Sequence, residues 1–321
     1  MRCRRITQRA VARIAARPGG GLPKAMKSEP EAPSAPSERR RLRYAVFDLD
    51  GTVLGPSQRF LPGVAEGLHR LRAQGLRLLL VTGRSVGSFR SLDPSAPELR
   101  AFDDPLLLSN GNVLWDRGAG SVTVSRALPA ELAARLASAD VADTVTETAS
   151  GLIAGSRRAA LAYARAYGVR REDIVTRALA ADHRGEDAVA VTVFGAEADL
   201  TEQLTGLPHD LDRISAFGAL VVRPEHTCKA AAVHEHVRRR YGESHGLSAT
   251  VAFGDARNDA CLLGSAALGV AVQGADQVAV RHSDELLSGP LGEYLARFVA
   301  DRAIAAAGID RDGRVLRCPH R

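Results

Sequence analysis

Apolar residues first crowd together at Tyr44, Ala45, Val46 and Phe47, and the run ends in Asp48, Leu49, Asp50 and Gly51. A short apolar run closed by acids and glycine predicts a strand buried on both faces and breaking into a loop. Over residues 62–74 the apolar positions Val64, Leu68 and Leu71 recur at helical spacing, with Pro62 near the start and Gly75 after the end. That is the punctuation of a helix. A second buried strand is predicted over 76–81, closed by Thr82-Gly83-Arg84, and a third over 106–108, closed by Ser109-Asn110-Gly111. A helix is expected between them. Strands alternating with helices in this way predict a parallel sheet with right-handed crossovers.

The rhythm then changes. Val113-Leu114-Trp115, a turn over 116–120 and a run over 122–124 predict a hairpin. Helical spacing over 129–138 and 157–167, with a strand over 188–194, predicts a separate α+β unit. From Leu220 the first rhythm returns, as a strand over 220–223, a helix over 229–241 and a strand over 250–253. A helix over 259–263, a strand over 268–272 and a last helix over 291–306 complete it. The expected organisation is a disordered leader over 1–42, an α/β core over 43–112 and 222–305, an inserted unit over 113–221 and a polar tail over 306–321.

Composition narrows the class. The 321 residues are 45% hydrophobic and 25% charged, which excludes wholesale disorder, collagen and coiled coil. No apolar run reaches the ~20 residues of a membrane-spanning helix. Cys3, Cys228, Cys261 and Cys318 lie far apart with no CxxC pair, the usage of a reduced, cytoplasmic protein with neither a disulfide scaffold nor a zinc ribbon. The formal charge of +6 divides unevenly: residues 1–43 hold 12 Lys/Arg and 3 Asp/Glu, the remainder 31 and 34. The body is therefore mildly acidic, and no nucleic-acid partner is expected for it. Arg5, Arg9, Arg13 and Arg17 recur every four residues. They suit a basic amphipathic helix on a membrane or RNA, although the Gly, Pro and Ser content nearby favours an unstructured leader.

The candidate chemistry sits at the ends of the predicted strands, where ligands of open parallel sheets bind. Asp48 and Asp50 are two apart on an extended chain and point to the same side. Thr82 ends the second strand, and Gly254-Asp255 follows the strand over 250–253. Asp48, Asp50 and Asp255 brought together repel one another unless a cation intervenes, and an oxygen-only donor set suits Mg²⁺. Other constellations fail. His234 and His236 diverge by ~200° on a helix and cannot share a zinc ion. Cys228 beside Lys229 reads as a buried inert thiol. No GxxxxGK[ST] loop occurs.

Asp48-Leu49-Asp50-Gly51-Thr52, Thr82-Gly83-Arg84, Lys229 and Gly254-Asp255-Ala256-Arg257-Asn258-Asp259 together resemble the four motifs of the haloacid dehalogenase (HAD) superfamily. Ser109-Asn110-Gly111 before the hairpin, with the large insert after it, resembles the Cof-type branch, subfamily IIB with a C2B cap. The resemblance implies a Rossmann-like, doubly wound core with an inserted α+β cap. It also implies a phosphomonoester hydrolase that forms an aspartyl-phosphate. Asp48 would be the nucleophile and Asp50 the general acid and base. Mg²⁺ would be held by Asp48, the backbone carbonyl of Asp50 and Asp255. Thr82, the amides of Leu49 and Gly83, Lys229 and Asn258 would bind the phosphate, and Asp259 would orient Lys229 or a metal-bound water.

Singly, each of these residues also has a plain structural reading: Thr82 as a helix cap, Asn258 as a cap on its loop, Lys229 as a solvated helix residue, Asp259 as a helix-start charge. Their joint occurrence outweighs it. The cap of this family selects the leaving group, so the motifs leave the substrate open, with a small phosphorylated sugar or polyol as the default. Arg157, Arg158, Arg165 and His183 are candidate cap contacts, with solvated surface charge as the competing reading. The alternative class is a regulatory or binding protein on the same scaffold, docking through its basic leader.

Overall fold

A computed structural model describes residues 41–92, 97–138, 143–176, 187–195, 204–214, 217–242 and 246–300. The leader up to residue 40, the tail over 306–321, residues 301–306 of the last expected helix and His183 lie outside the described residues.

The core is a parallel sheet in the order Glu285–Leu286, Leu268–Ala271, Thr250–Gly254, Tyr44–Phe47, Arg77–Leu80. Tyr44–Phe47 lies in the interior, with Phe47 opposite Phe253 on one side and Leu80 on the other. Strict alternation sends Ala45, Phe47, Leu78, Leu80, Val251 and Phe253 to one face and Tyr44, Val46, Leu79 and Ala252 to the other. Each face needs a cover, and the helical patterns supply it. Val64, Leu68 and Leu71 of helix Val64–Ala73 and Leu291 and Leu295 of helix Leu291–Arg297 close the first face. A Cβ on Gly67 would come within 2.5 Å of Leu295 Cβ, so glycine lets these two helices touch. Helices Lys229–Tyr241, Ala260–Ser265 and Gln277–His282 close the second face through Ala230, Val233, Val237, Leu262, Leu263 and Ala279. Phe47 and Phe253 stack at 4.6 Å between ring centres, and Phe102, Tyr294 and Phe298 pack edge-on around them.

A second sheet runs in the order His209–Ile214, Ala219–Pro224, Ala190–Phe194, Thr144–Glu147, Leu152–Ala154, Ile174–Thr176. Helices Ala130–Ser138 and Arg157–Tyr167 pack on it through Leu132, Leu136, Ala159, Ala160 and Tyr163. The second helix is well punctuated: the Ser156 hydroxyl accepts from the Ala159 amide, and Gly168 ends it at φ 64°.

Two boundaries differ from those the chain pattern predicts. The hairpin Val113–Asp116 and Ser121–Val124, expected in the insert, pairs with Leu106–Leu108, and Leu107 bridges Val81 beside the parallel sheet. Trp115, Val122 and Val124 pack on the core cluster, so the hairpin extends the core. Conversely, Ala219–Pro224, expected to reopen the core, pairs antiparallel with His209–Ile214 and Ala190–Phe194 in the second sheet. Leu220 and Val222 bury against that sheet's helix. An apolar run states that a strand is buried, and both sheets offered a place for it. Among the described residues, no helix is long and apolar enough to cross a membrane.

Candidate active site

The carboxyl ends of the parallel strands face the second sheet across a cleft of about 550 Å³. Asp48 follows Phe47 directly, and its amide donates to the Phe253 carbonyl at 3.0 Å, continuing the sheet ladder. Its carboxylate is buried, and Lys229 Nζ reaches it at 2.5 Å. The same ammonium donates to Asp259 Oδ1 at 2.7 Å. Asp259 Oδ2 accepts from the amides of Asp255 and Ala256 at 3.1 Å each, so both of its oxygens are taken within the protein. Asp255 is less buried and accepts from the Thr52 hydroxyl at 3.3 Å. Gly51 makes this approach possible: it sits at φ 77°, and a Cβ there would lie 2.2 Å from Asp255 Oδ2.

The electrostatics follow from burial. Burial pushes the Asp48 carboxyl well above the ordinary range, against the pull of Lys229 and with the repulsion of Asp259 and Asp255. Burial and the neighbouring Asp259 raise Asp255 to about 6. Burial would also discharge Lys229, but Asp259 and Asp48 outweigh it and hold its ammonium above the ordinary lysine value. One cation thus faces three carboxylates, whose oxygens lie within 4.8 Å of one another. That surplus of hard, buried oxygen donors fits a divalent cation such as Mg²⁺. Asp48 and Asp255 have oxygens to give it, whereas Asp259 is committed to Lys229 and two amides.

Asp50 departs from expectation. Its side chain does not join Asp48 and Asp255, as the alternation of an extended chain suggested. It turns to Arg84, which donates Nε to Oδ2 at 2.7 Å and Nη2 to Oδ1 at 2.6 Å. The strand ends at Phe47 and the chain bends at Leu49, between the two acids, so the simple alternation no longer applies to Asp50. Thr82 is buried, its hydroxyl accepting from the Arg84 amide at 3.1 Å. Gly83 and Asn258 line the cleft with it, and Asn258 Nδ2 donates to Asn110 Oδ1 at 3.2 Å. Leu49 is fully buried, its carbonyl accepting from the amides of Val53 and Leu54, so only its own amide is available for the expected role.

The opposite wall comes from residues that the sequence alone did not single out: Glu147, Tyr163, Tyr167 and Arg223. Glu147 ends strand Thr144–Glu147 and is buried. Its Oε1 accepts from the Tyr163 hydroxyl at 3.0 Å, and its Oε2 accepts from Ser109 across the junction at 3.2 Å. Burial raises its carboxyl, while Arg223 and the two hydroxyl donors favour the anion. Arg157, Arg158 and Arg165 do not line the cleft, and Arg158 pairs with Asp143 instead. The run Thr144-Val145-Thr146-Glu147 is mostly polar, so neither its burial nor the direction that Glu147 faces had a local signal.

A profile of the haloacid dehalogenase-like hydrolase family matches residues 45–288, and the chain belongs to that family. Over 87 residues it is 37% identical to pyridoxal phosphate phosphatase YbhA of Escherichia coli (strain K12), a stretch covering 27% of this chain and 30% of that protein. Among solved structures, a haloacid dehalogenase-like hydrolase from Bacteroides thetaiotaomicron is similar at TM-score 0.62 and 21% identity, over 80% of this chain and 99% of that one. TM0651 from Thermotoga maritima is similar at TM-score 0.66 and 20% identity, over 80% and 98%. The HAD subclass IIB sugar phosphatase BT4131 gives 0.61 and 20%, over 76% and 92%. The shared feature at these identities is the fold, a parallel-sheet core with an inserted cap.

Proposed function

We propose that the chain is a Mg²⁺-dependent phosphomonoester hydrolase that works through an aspartyl-phosphate on Asp48. Its substrate is a small phosphorylated sugar or polyol, and its setting is cytoplasmic. The observation that carries the reading is the ammonium of Lys229 held between Asp48 and Asp259 at 2.5 and 2.7 Å, buried behind Asp48, which lines a small-molecule-sized cleft. Lys229 neutralises Asp48 enough for a phosphate dianion to approach and fixes the attacking oxygen. Asp48 and Asp255, with the backbone carbonyl of Asp50, would hold Mg²⁺, which supplies charge neutralisation at the transferring phosphoryl group.

Asp48 attacks phosphorus, the P–O bond to the leaving group breaks, and Asp50 gives its proton to the departing alkoxide. Asp50 then takes a proton from the water that cleaves the aspartyl-phosphate. Thr82, Gly83 and Asn258 surround the position of the transferring oxygens. A non-catalytic scaffold role is not favoured, since it gives no reason for three carboxylates to be buried around one lysine.

A second substrate reading is a phosphorylated pyridine cofactor, the class in the name of the Escherichia coli relative. Tyr163 and Tyr167, with ring centres 4.3 Å apart in the cleft wall, favour it. The test is Mg²⁺-dependent hydrolysis of p-nitrophenyl phosphate, followed by phosphate release from sugar, polyol, nucleotide and pyridoxal phosphates. Absence of Mg²⁺-dependent turnover on every ester would overturn the assignment.

A further inference from the structure

We infer that Glu147 sets the leaving-group specificity of this site. It admits esters whose leaving group offers hydroxyl donors and turns away those carrying a second anion. The inference rests on the phosphatase reading above and deepens it.

Glu147 is placed where a leaving group must pass. It lines the same cleft as Asp48 and Asp50 but projects from the cap, opposite the phosphate end. Both of its carboxylate oxygens already accept hydroxyl hydrogens, one from Tyr163 and one from Ser109. A carboxylate has about four acceptor positions, so these two bonds leave room for donors on a ligand. The Ser109 hydroxyl also marks where such a donor can sit, since a substrate hydroxyl can replace it on Oε2. Ser109 and Asn110 are held at φ 48° and 57°, a left-handed pair without glycine. A backbone of this kind is kept only where the surroundings over-determine it, and here it aims Ser109 at the cap.

The charges complete the argument. The cationic side chains in the cleft wall are Arg84 and Arg223. Arg84 is bound at both ends of its fork by Asp50, and Arg223 pairs with Asp212. An anionic group on the leaving group therefore meets the Glu147 carboxylate while both guanidinium groups of the wall are already engaged. Juxtaposed like charges in a shielded cleft are a strong means of excluding a wrong partner.

The experiment uses two matched pairs in which one terminal hydroxymethyl becomes a carboxylate: sorbitol 6-phosphate with 6-phosphogluconate, and glycerol 3-phosphate with 3-phosphoglycerate. Each ester is measured as substrate and as competitive inhibitor of p-nitrophenyl phosphate hydrolysis, and the result is the ratio within a pair. The wild-type protein should favour the hydroxymethyl member of at least one pair by about tenfold or more. Glu147→Gln, which keeps an acceptor but loses the charge, should shrink that ratio at least about threefold, and Glu147→Asp should retain it. A wild-type ratio near one, or in favour of the carboxylate in both pairs, overturns the inference whatever the variants do. So does an unchanged ratio in folded Glu147→Gln. Failure of the wild-type protein to hydrolyse p-nitrophenyl phosphate with Mg²⁺ would instead overturn the phosphatase reading beneath it.

Discussion

Arg84 grips Asp50 through two parallel hydrogen bonds, at 2.7 and 2.6 Å, so that both oxygens of the proposed general acid accept from one guanidinium. In this arrangement Asp50 presents no proton to the cleft, and catalysis requires one oxygen to be released. The Asp50 side chain is 48% exposed, so solvent screens the pair and its contribution to stability is small. Asp50→Asn should therefore melt close to wild type. Its kcat on alkyl phosphates should fall by about 10²–10⁴, the usual worth of a general acid. With p-nitrophenyl phosphate, whose leaving group needs little protonation, a burst of nitrophenol should precede a stalled phosphoenzyme. Steady-state turnover of an alkyl ester at the wild-type rate would remove Asp50 from the mechanism.

Asp48→Asn replaces the nucleophile by a group of the same shape. Turnover should drop on the order of 10⁶-fold, as when a catalytic nucleophile is removed. Far-UV circular dichroism should be unchanged, because Lys229 keeps Asp259 as a partner at 2.7 Å. Phosphatase activity near wild type in the purified variant is the outcome that contradicts the assignment.

Lys229→Met should be costly for the fold as well as for activity. The lysine is fully buried, and without it Asp48, Asp255 and Asp259 face one another unneutralised. Breaking a buried pair by removing one partner costs about 3–5 kcal/mol. Urea denaturation should show a loss of that order, partly recovered by millimolar Mg²⁺. A variant as stable as wild type in EDTA would mean that the ammonium does not hold the carboxylates together.

The Asp255 carboxyl, raised to about 6 by burial and Asp259, gives a pH signature. Its pKa in the folded metal-free protein exceeds the ordinary 3.8. Its contribution to stability is therefore fully present below about 3.8 and is lost as pH rises through about 6. Mg²⁺ should reverse that loss, since it binds the ionised form. The rise in Tm on adding Mg²⁺ should be largest at pH 7.5 and shrink below pH 6, as protons compete for the same oxygens. Differential scanning calorimetry at pH 5, 6 and 7.5, with EDTA or Mg²⁺, checks this; an equal Mg²⁺ effect at all three would separate the metal from Asp255.

Much of the core was legible because its rules are local. The run Tyr44–Phe47 is apolar at every position, and strand Thr250–Gly254 nearly so, as strands covered on both faces must be. Val64, Leu68 and Leu71 fall on one side of their helix and bury there. The boundaries of the insert were less legible. Trp115 and Leu220 belong to strands whose patterns suit either sheet, and partnership is a contact between distant parts of the chain.

By itself the sequence indicated strands running into Asp48, Thr82 and Asp255, which is enough to gather the candidate chemistry at the carboxyl end of a parallel sheet. Only the tertiary structure decided what those residues touch. It turned Asp50 toward Arg84, gave Lys229 to Asp48 and Asp259 across intervals of 181 and 30 residues, and brought Glu147 over Ser109 from the cap. Periodicity along a strand or helix says which side a residue faces. What stands on that side is set by how sheets and helices close on one another, and no local pattern carries that information.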